Sequence, residues 1–333
     1  MKIIIPMAGM GKRMRPHTLT IPKPLLPIAG KPIVQRLVED IAKVTKEKID
    51  EVAFVIGHFG EEVETNLKKI ASNLGANASI YYQEEALGTA HAILCAQNSL
   101  IGKTIVAFAD TLFKADFILD DSQEGIIWVQ KIEDPRAFGV VKVNAQNIIT
   151  DFIEKPLVFI SDLAIIGIYY FKDGAYLKKE LQFLIDNNIK DKGEFQLTNA
   201  LENMKNKGTQ FFPGKVTEWL DCGNKDATVY TNQRILAFNL GLDLISKTMK
   251  SENSLIIEPC FVGEHVKIIN SIVGPYVSLG NNTLVENSVI RNSIVQGNTK
   301  IINANIANSM IGNFVEYKGK QVDLSIGDYS TES

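Results

Sequence analysis

The feature that most restricts the fold is the spacing of aliphatic residues in the last quarter of the chain. Val262, Ile268, Val273, Leu279, Val285, Ile290, Val295, Ile301, Ile306 and Ile311 follow one another at steps of five or six residues only. An α-helix repeats every ~3.6 residues and a flat strand alternates about every second residue. Neither can turn all of these positions to one side. A parallel β-helix can, because each short strand sends one aliphatic inward and stacked coils bury a continuous ladder. The tetrads Asn-Ser-Ile-Val at 270 and 292, Asn-Ser-Val-Ile at 287 and Asn-Ser-Met-Ile at 308 recur on the same beat. Unrelated hairpins with asparagine turns would not keep so regular a step. This predicts a parallel β-helix of hexapeptide-like repeats with a C-terminal tail at 251–333, and a separate domain at 1–250.

The earlier part has a different texture. The runs KIIIPMA, EVAFVIG, SIYYQ, TIVAFAD, GIIWVQ and AIIGIYYF read as strands, and KPIVQRLVEDIAKVT and EEVETNLKKIASNLG carry apolar residues at helical spacing between them. Strand–helix alternation predicts an α/β, Rossmann-like domain with a mostly parallel sheet, its ligand at the carboxyl ends of the strands. KDATVYTNQRILAFNLGLDLI reads as a linking helix that leads away from that sheet.

Composition narrows the class. The chain has 333 residues, 45% of them hydrophobic and 22% charged, with a formal net charge of -3. That is an ordinary globular balance without the basic field that nucleic acid requires. No apolar run has membrane-spanning length, and the lysine-poor start MKIIIPMAG reaches glycine too early for a secretory signal. Three separated cysteines, Cys95, Cys222 and Cys260, fit a reducing cytoplasm and offer neither a disulfide framework nor a zinc spacing.

The first strand is followed by MAGMGKRMRPHTLTIPKPLLPIAGKP, residues 7–32, which holds paired glycines, several cations and several prolines. A Rossmann fingerprint needs a third glycine where Met14 stands, and the Walker spacing is absent. What remains is Gly9 and Gly11 with Lys12, Arg13, Arg15 and Lys23. Glycines let backbone N–H groups approach an anion, the cations supply charge to phosphate oxygens, and the prolines stiffen the loop. From composition alone the alternatives are a polyphosphate cradle and a solvated basic loop.

Gly-x-Gly-x-Arg followed by PKPLLP resembles the sugar-phosphate nucleotidyltransferase family, also called sugar-nucleotide pyrophosphorylases. The resemblance runs on, in order, through QEEALGTAHAI at 83, FAD ending at Asp110, FGVV at 138, EKP at 154, IIGIYYF at 165, GEFQLTNAL at 193 and WLDCGN at 219. It covers nearly the whole chain and points to the long glucose-1-phosphate thymidylyltransferases that carry a C-terminal left-handed β-helix.

The resemblance implies that a sugar-1-phosphate oxygen attacks the α-phosphorus of a nucleoside triphosphate, most simply dTTP or UTP with glucose-1-phosphate. Positioning and charge neutralisation then do the catalysis. It implies catalytic roles for Arg13, Lys23 and Lys155. It implies a nucleotide site of Ala8, Gly9, Gly11, Arg13, Lys23, Gln83, Gly88, Thr89 and Asp110, and a sugar-phosphate site of Gly139, Glu154, Lys155, Gly167 and Glu194. Asp110 and Asp221 match the carboxylates that hold Mg²⁺. Read without the resemblance, Asp110 is a turn cap, Asp221 a loop acid and Glu154–Lys155 an exposed pair, and Gly139 and Gly167 are strand irregularities. The family's Gly-Asp is Ala109-Asp110 here, and LAII precedes Gly167 where many uridylyl enzymes have asparagine.

Three other readings belong to the same resemblance. Some relatives acetylate amino sugars in the β-helix, for which His265 is the sole histidine after residue 91. A guanylyltransferase branch acts on mannose-1-phosphate. Non-catalytic regulatory relatives lose the loop cations or the aspartates, all of which stand here. The open end of the coils predicts a homo-oligomer.

Overall fold

The structure is a computed structural model that describes residues 1–116, 118–320 and 322–331. It comprises two compact units, 1–26 with 31–224, and 27–30 with 225–333.

The first unit is built on a nine-stranded sheet. Its parallel centre is β1 (Lys2–Pro6), β2 (Glu51–Ile56), β3 (Asn77–Tyr82) and β4 (Thr104–Ala107), in the order β4-β1-β2-β3. Ile3, Ile4 and Ile5 are wholly buried, as a strand covered on both faces must be. Its other five strands are β6 (Gly125–Lys131), β7 (Val140–Val143), β8 (Ile149–Ile153), β9 (Leu163–Phe171) and β10 (Phe211–Lys215), while β5 (Thr111–Lys114) and β11 (Glu218–Asp221) pair with each other in a separate two-stranded sheet. All six expected strands form. β9, the run containing IIGIYYF, joins β4 antiparallel and pairs antiparallel with β6 and β7, so the sheet is parallel in its core and mixed beyond it.

Helices α1 (Ile33–Val44) and α2 (Glu61–Asn73) form where the periodicity predicts. Ile33, Leu37, Val38, Ile41 and Val44 give α1 one buried face. In α2 the three glutamates Glu61, Glu62 and Glu64 occupy the first turn, where the helix dipole favours negative charge. Helices α3 (Thr89–Cys95), α4 (Gly174–Asp186) and α5 (Leu197–Asn206) complete the unit and bury Ile93, Leu177, Leu181, Ala200 and Leu201 in the same core as Val106 and Tyr169.

The second unit is the left-handed β-helix, joined by α6 (Lys225–Phe238). Three stacks of parallel strands form its faces, and in-register residues such as Ile268, Val285 and Ile301 lie one coil apart. From Val262 to Ile306 the nine ladder residues are buried in one cluster, and Ile311 packs against it. The tetrads explain themselves. Each asparagine takes a left-handed corner, with φ of 47° at Asn270 and Asn287, 52° at Asn303 and 50° at Asn308. Asparagine tolerates that backbone better than branched residues do. The side chains stack, Asn270 Nδ2 donating to Asn287 Oδ1 at 3.2 Å and Asn287 Nδ2 to Asn303 Oδ1 at 3.1 Å. The serines knit coil to coil: Ser288 N–H donates to Ser271 Oγ at 3.0 Å, and Ala304 N–H to Ser288 Oγ at 3.0 Å.

The units meet in sequence at 224/225, whereas the repeat texture begins at 251. The difference is α6 and its following turn. Asn232 of α6 is buried and accepts from Ser278 Oγ at 2.7 Å and from Ala29 N–H at 2.9 Å, which ties the linking helix to the coils.

Candidate active site

Two cavities open at the carboxyl end of the parallel strands, both within the first unit. The first, about 420 Å³, is lined by Ala8, Gly9, Gly11, Arg13, Lys23, Gln83, Gly88, Thr89, Asp110 and Glu194. The second, about 520 Å³, is lined by Gly139, Glu154, Lys155, Gly167, Asp221 and again by Arg13, Thr89 and Asp110. The cavities share a wall made by Arg13, Thr89, Phe108 and Asp110. Every expected site residue therefore lines one cavity or both. Glu194, grouped with the sugar residues in the sequence, lines the first cavity.

The loop after β1 is shaped by Gly11. Its φ is +55°, and a Cβ there would stand 3.1 Å from both Lys23 Cβ and Thr18 Cγ2. Thr18 Oγ1 donates to Gly11 O at 2.8 Å and pins the turn. Met14 is buried beneath it while Arg13 stays exposed to the cavity. Lys23 is buried, and its Nζ lies 3.0 Å from Asp110 Oδ2.

Two carboxylates converge because β5 and β11 pair antiparallel with Asp221 opposite Thr111. Cys222 N–H donates to Asp110 O at 2.9 Å, which closes that corner. Burial and then the neighbouring Asp110 push the Asp221 carboxyl above the usual carboxylate range, against the pull of Lys23, the Gly223 N–H and Arg13. A carboxyl raised by burial beside a second carboxylate marks a place where negative charge is crowded. Hard divalent cations take such oxygen donors and complete their shell with water and phosphate. No cluster of three or more His, Cys, Asp or Glu is present among the described residues.

The base of the first cavity is a latch. Gly88 has φ +114°, and a Cβ on it would stand 2.5 Å from Phe195 O and 2.7 Å from Phe195 N. The close approach lets Phe195 N–H donate to Leu87 O at 2.8 Å and Ala90 N–H to Phe195 O at 2.9 Å. Thr89 Oγ1 accepts from Leu197 N–H at 2.9 Å. Gln83 extends from the end of β3, and its Nε2 reaches Gly88 O at 3.4 Å and His91 Nδ1 at 3.2 Å.

In the second cavity Gly167, φ +84°, forms the bulge where the β9–β6 register shifts between Ile165 and Tyr169. Its carbonyl accepts from Phe108 N–H at 2.9 Å. Gly139 leaves room for Glu154, whose Oε2 would lie 3.2 Å from a Cβ at that position. Lys155, at φ +40°, holds Nζ 3.7 Å from Glu154 Oε1, and its carbonyl accepts from Lys192 Nζ at 3.2 Å.

Sequence reasoning missed several lining residues. Phe138 and Trp219 meet edge to face at 4.8 Å in the second cavity, and Trp219 Nε1 is buried without an acceptor among the described residues. Thr198 Oγ1 donates to Glu154 Oε2 at 3.4 Å. Trp219 lies inside the quoted WLDCGN segment, so proximity to Asp221 was a usable signal. Phe138 opens the quoted FGVV segment and Thr198 lies inside GEFQLTNAL, so the same signal was available for them.

A parallel-cored α/β sheet thus carries a glycine–cation loop, a buried lysine and two converging carboxylates at its carboxyl end, around two adjoining cavities. The chain belongs to the nucleotidyl transferase family, whose model matches residues 2–237. A low-salt glycan biosynthesis nucleotidyltransferase of Haloferax volcanii is 31% identical over 71% of this chain and 66% of its own length. The bifunctional protein GlmU of Methanococcus vannielii is 32% identical over 61% of this chain and 47% of its own. The chain thus spans about half to two thirds of these relatives. A glucose-1-phosphate thymidylyltransferase of Streptomyces griseus is 25% identical over 86% and 84%. A UDP-glucose pyrophosphorylase crystallised with UDP-glucose shares the fold, with a TM-score of 0.58 at 24% identity over 71% of this chain and 98% of that one.

Proposed function

We propose that this chain transfers a nucleotidyl group from dTTP or UTP to a sugar-1-phosphate, with glucose-1-phosphate the favoured acceptor, releasing pyrophosphate. The shared wall between the two cavities carries the reading. A nucleoside triphosphate in the first cavity and a sugar phosphate in the second would bring their phosphates together at Arg13 and Asp110. The sugar phosphate oxygen forms a bond to the α-phosphorus as the bond to pyrophosphate breaks. Arg13 and Lys23 neutralise the triphosphate, and Lys155 holds the incoming phosphate. Glu154 and the backbone at Gly139 and Gly167 orient the sugar hydroxyls, with Glu194 at the nucleotide side. Asp110 and Asp221 would hold Mg²⁺, which when bound offsets charge on the phosphate oxygens.

The test is product formation from five nucleoside triphosphates against four sugar-1-phosphates. Nucleotide-sugar and pyrophosphate from a pyrimidine triphosphate are expected. A purified, folded chain that makes none from any pair would overturn the reading. The relative named GlmU raises a second, acetyl-transferring activity. His265 takes the left-handed corner, φ 56°, that Asn282, Asn298 and Phe314 take in later coils. We further propose a cytoplasmic homo-oligomer; no helix of the described residues is long and apolar enough to cross a membrane.

A further inference from the structure

The inward ladder continues in sequence after the last strand of the coils, Glu316–Lys318. Beyond Ile311 the next steps of six and five fall on Tyr317 and Val322. Ser325 stands 16 residues after Ser309, and Gly327-Asp328-Tyr329 repeats Gly312-Asn313-Phe314 with one residue deleted before it. The backbone carries the same punctuation. Tyr329 has φ 59°, in line with 58° at Phe314, 56° at Asn298, 57° at Asn282 and 56° at His265.

Winding persists as far as Gly319, whose N–H donates to Ile302 O at 2.9 Å, as Asn303 N–H does to Glu286 O and Asn287 N–H to Ile269 O at 3.0 Å. Past it, Val322, Leu324 and Ile326 are 74%, 57% and 53% exposed. They alternate with Asp323 and Ser325. Three aliphatics of a repeat sequence left in water after the last coil is a frustrated arrangement.

One corner departs from its column. In the third corner column, Tyr276, Asn292 and Asn308 have φ of 64°, 40° and 50°, and Asn292 Nδ2 donates to Asn308 Oδ1 at 2.7 Å. The next member of that column, 16 residues on, is Leu324. Leucine has no amide for the ladder and disfavours the left-handed backbone.

We infer that residues 322–329 are a terminal coil that winds onto the open end of the β-helix, with Val322 and Ile326 extending the inward ladder and Leu324 holding the closure marginal. Closing covers Ile306 and Ile311 and gives the last coil's amides their acceptors. In the inner coils Val289 N–H donates to Ala304 O and Ile294 N–H to Ser309 O, each at 2.8 Å. One coil on, the donors are Asn305 and Met310, and the acceptors are the carbonyls of Lys320 and Ser325.

Hydrogen exchange on the full chain tests this at the Asn305 and Met310 amides. Val322→Asp should speed their exchange about tenfold or more while Ile294 and Lys300 stay protected. Leu324→Asn, which restores the corner, should slow it below the wild-type rate. Equal rates at Asn305 and Met310 in all three proteins would overturn the inference. So would protection that rises with protein concentration and survives Val322→Asp, because that assigns the open end to a second copy.

Discussion

Lys23 Nζ sits 3.0 Å from Asp110 Oδ2, a contact between residues 87 positions apart that joins the cationic loop to the end of the β4 strand. The lysine is buried, while the Asp110 side chain is 42% exposed to the cavity. The ion pair is thus anchored from the protein side and open on the ligand side. Such a preorganised charge acts on a transition state without reorganising.

Removing either cation of this wall should therefore be costly. Arg13→Ala and Lys23→Ala are each expected to lose about 2–4 kcal/mol of transition-state stabilisation, read as the fall in kcat/KM for nucleotide-sugar formation. Lys12 lines the same cavity from an exposed position, and Lys12→Ala should cost about 1 kcal/mol or less. Equal losses in all three would mean a diffuse basic patch in place of a built site.

The carboxylates form the second test. Asp110→Asn and Asp221→Asn should each lower turnover by about a hundredfold or more. Asp221→Asn also removes a half-buried charge that Asp110 disfavours, so its thermal midpoint should not fall. Full activity in either folded variant removes that residue from the proposed cation pair.

Two glycines separate folding from binding. Gly88→Ala forces a left-handed backbone and a clash with Phe195, so it should destabilise the unit by about 1–3 kcal/mol in denaturant unfolding. At Gly9 a Cβ meets nothing within 4 Å. Gly9→Ala should keep wild-type stability and lose nucleotide affinity, because the added methyl enters the first cavity. A destabilised Gly9→Ala would mean that the loop is held by packing that the cavity reading ignores.

The coils were legible because each strand contributes one inward residue and most corners an asparagine. The beat in the sequence is the beat in space, and Val262, Val285 and Ile301 land where it puts them. The parallel centre was legible for the same local reason: Ile3–Ile5 and Val52–Ile56 are uninterrupted apolar runs. The latch between Thr89 and Leu197 was not, because it joins residues 108 positions apart with no shared period. The antiparallel entry of β9 was also hidden. Strand direction depends on where the chain returns, and IIGIYYF reads alike in both directions.

The asparagine ladder makes its own forecast. Asn287 holds φ 47° and stands between Asn270 and Asn303 in the stack. Asn287→Ala loses two rungs and strains the corner, with an expected cost of about 1–3 kcal/mol. Asn287→Gly keeps the backbone and should cost less than alanine does. Thermal unfolding of the β-helix reads both; a smaller loss with alanine would show that the rungs and corner strain are not what the position supplies.

The proposed base choice rests on Gln83. Its amide is held at the end of β3, with Nε2 reaching Gly88 O at 3.4 Å and His91 Nδ1 at 3.2 Å. A side-chain amide offers both a donor and an acceptor, which matches the O4 and N3–H of uracil and thymine. Cytosine reverses that edge, and a flipped amide could still pair with it, so discrimination falls to the Gly88 N–H, which can only donate. A site that desolvates a donor penalises a base with no carbonyl to meet it. The wild-type enzyme should use dTTP and UTP ahead of CTP, ATP and GTP. Gln83→Ala should narrow that ranking more than it lowers kcat with saturating dTTP. A preference for GTP in the wild-type enzyme would defeat the pyrimidine assignment and move the chain toward guanylyl transfer onto mannose-1-phosphate.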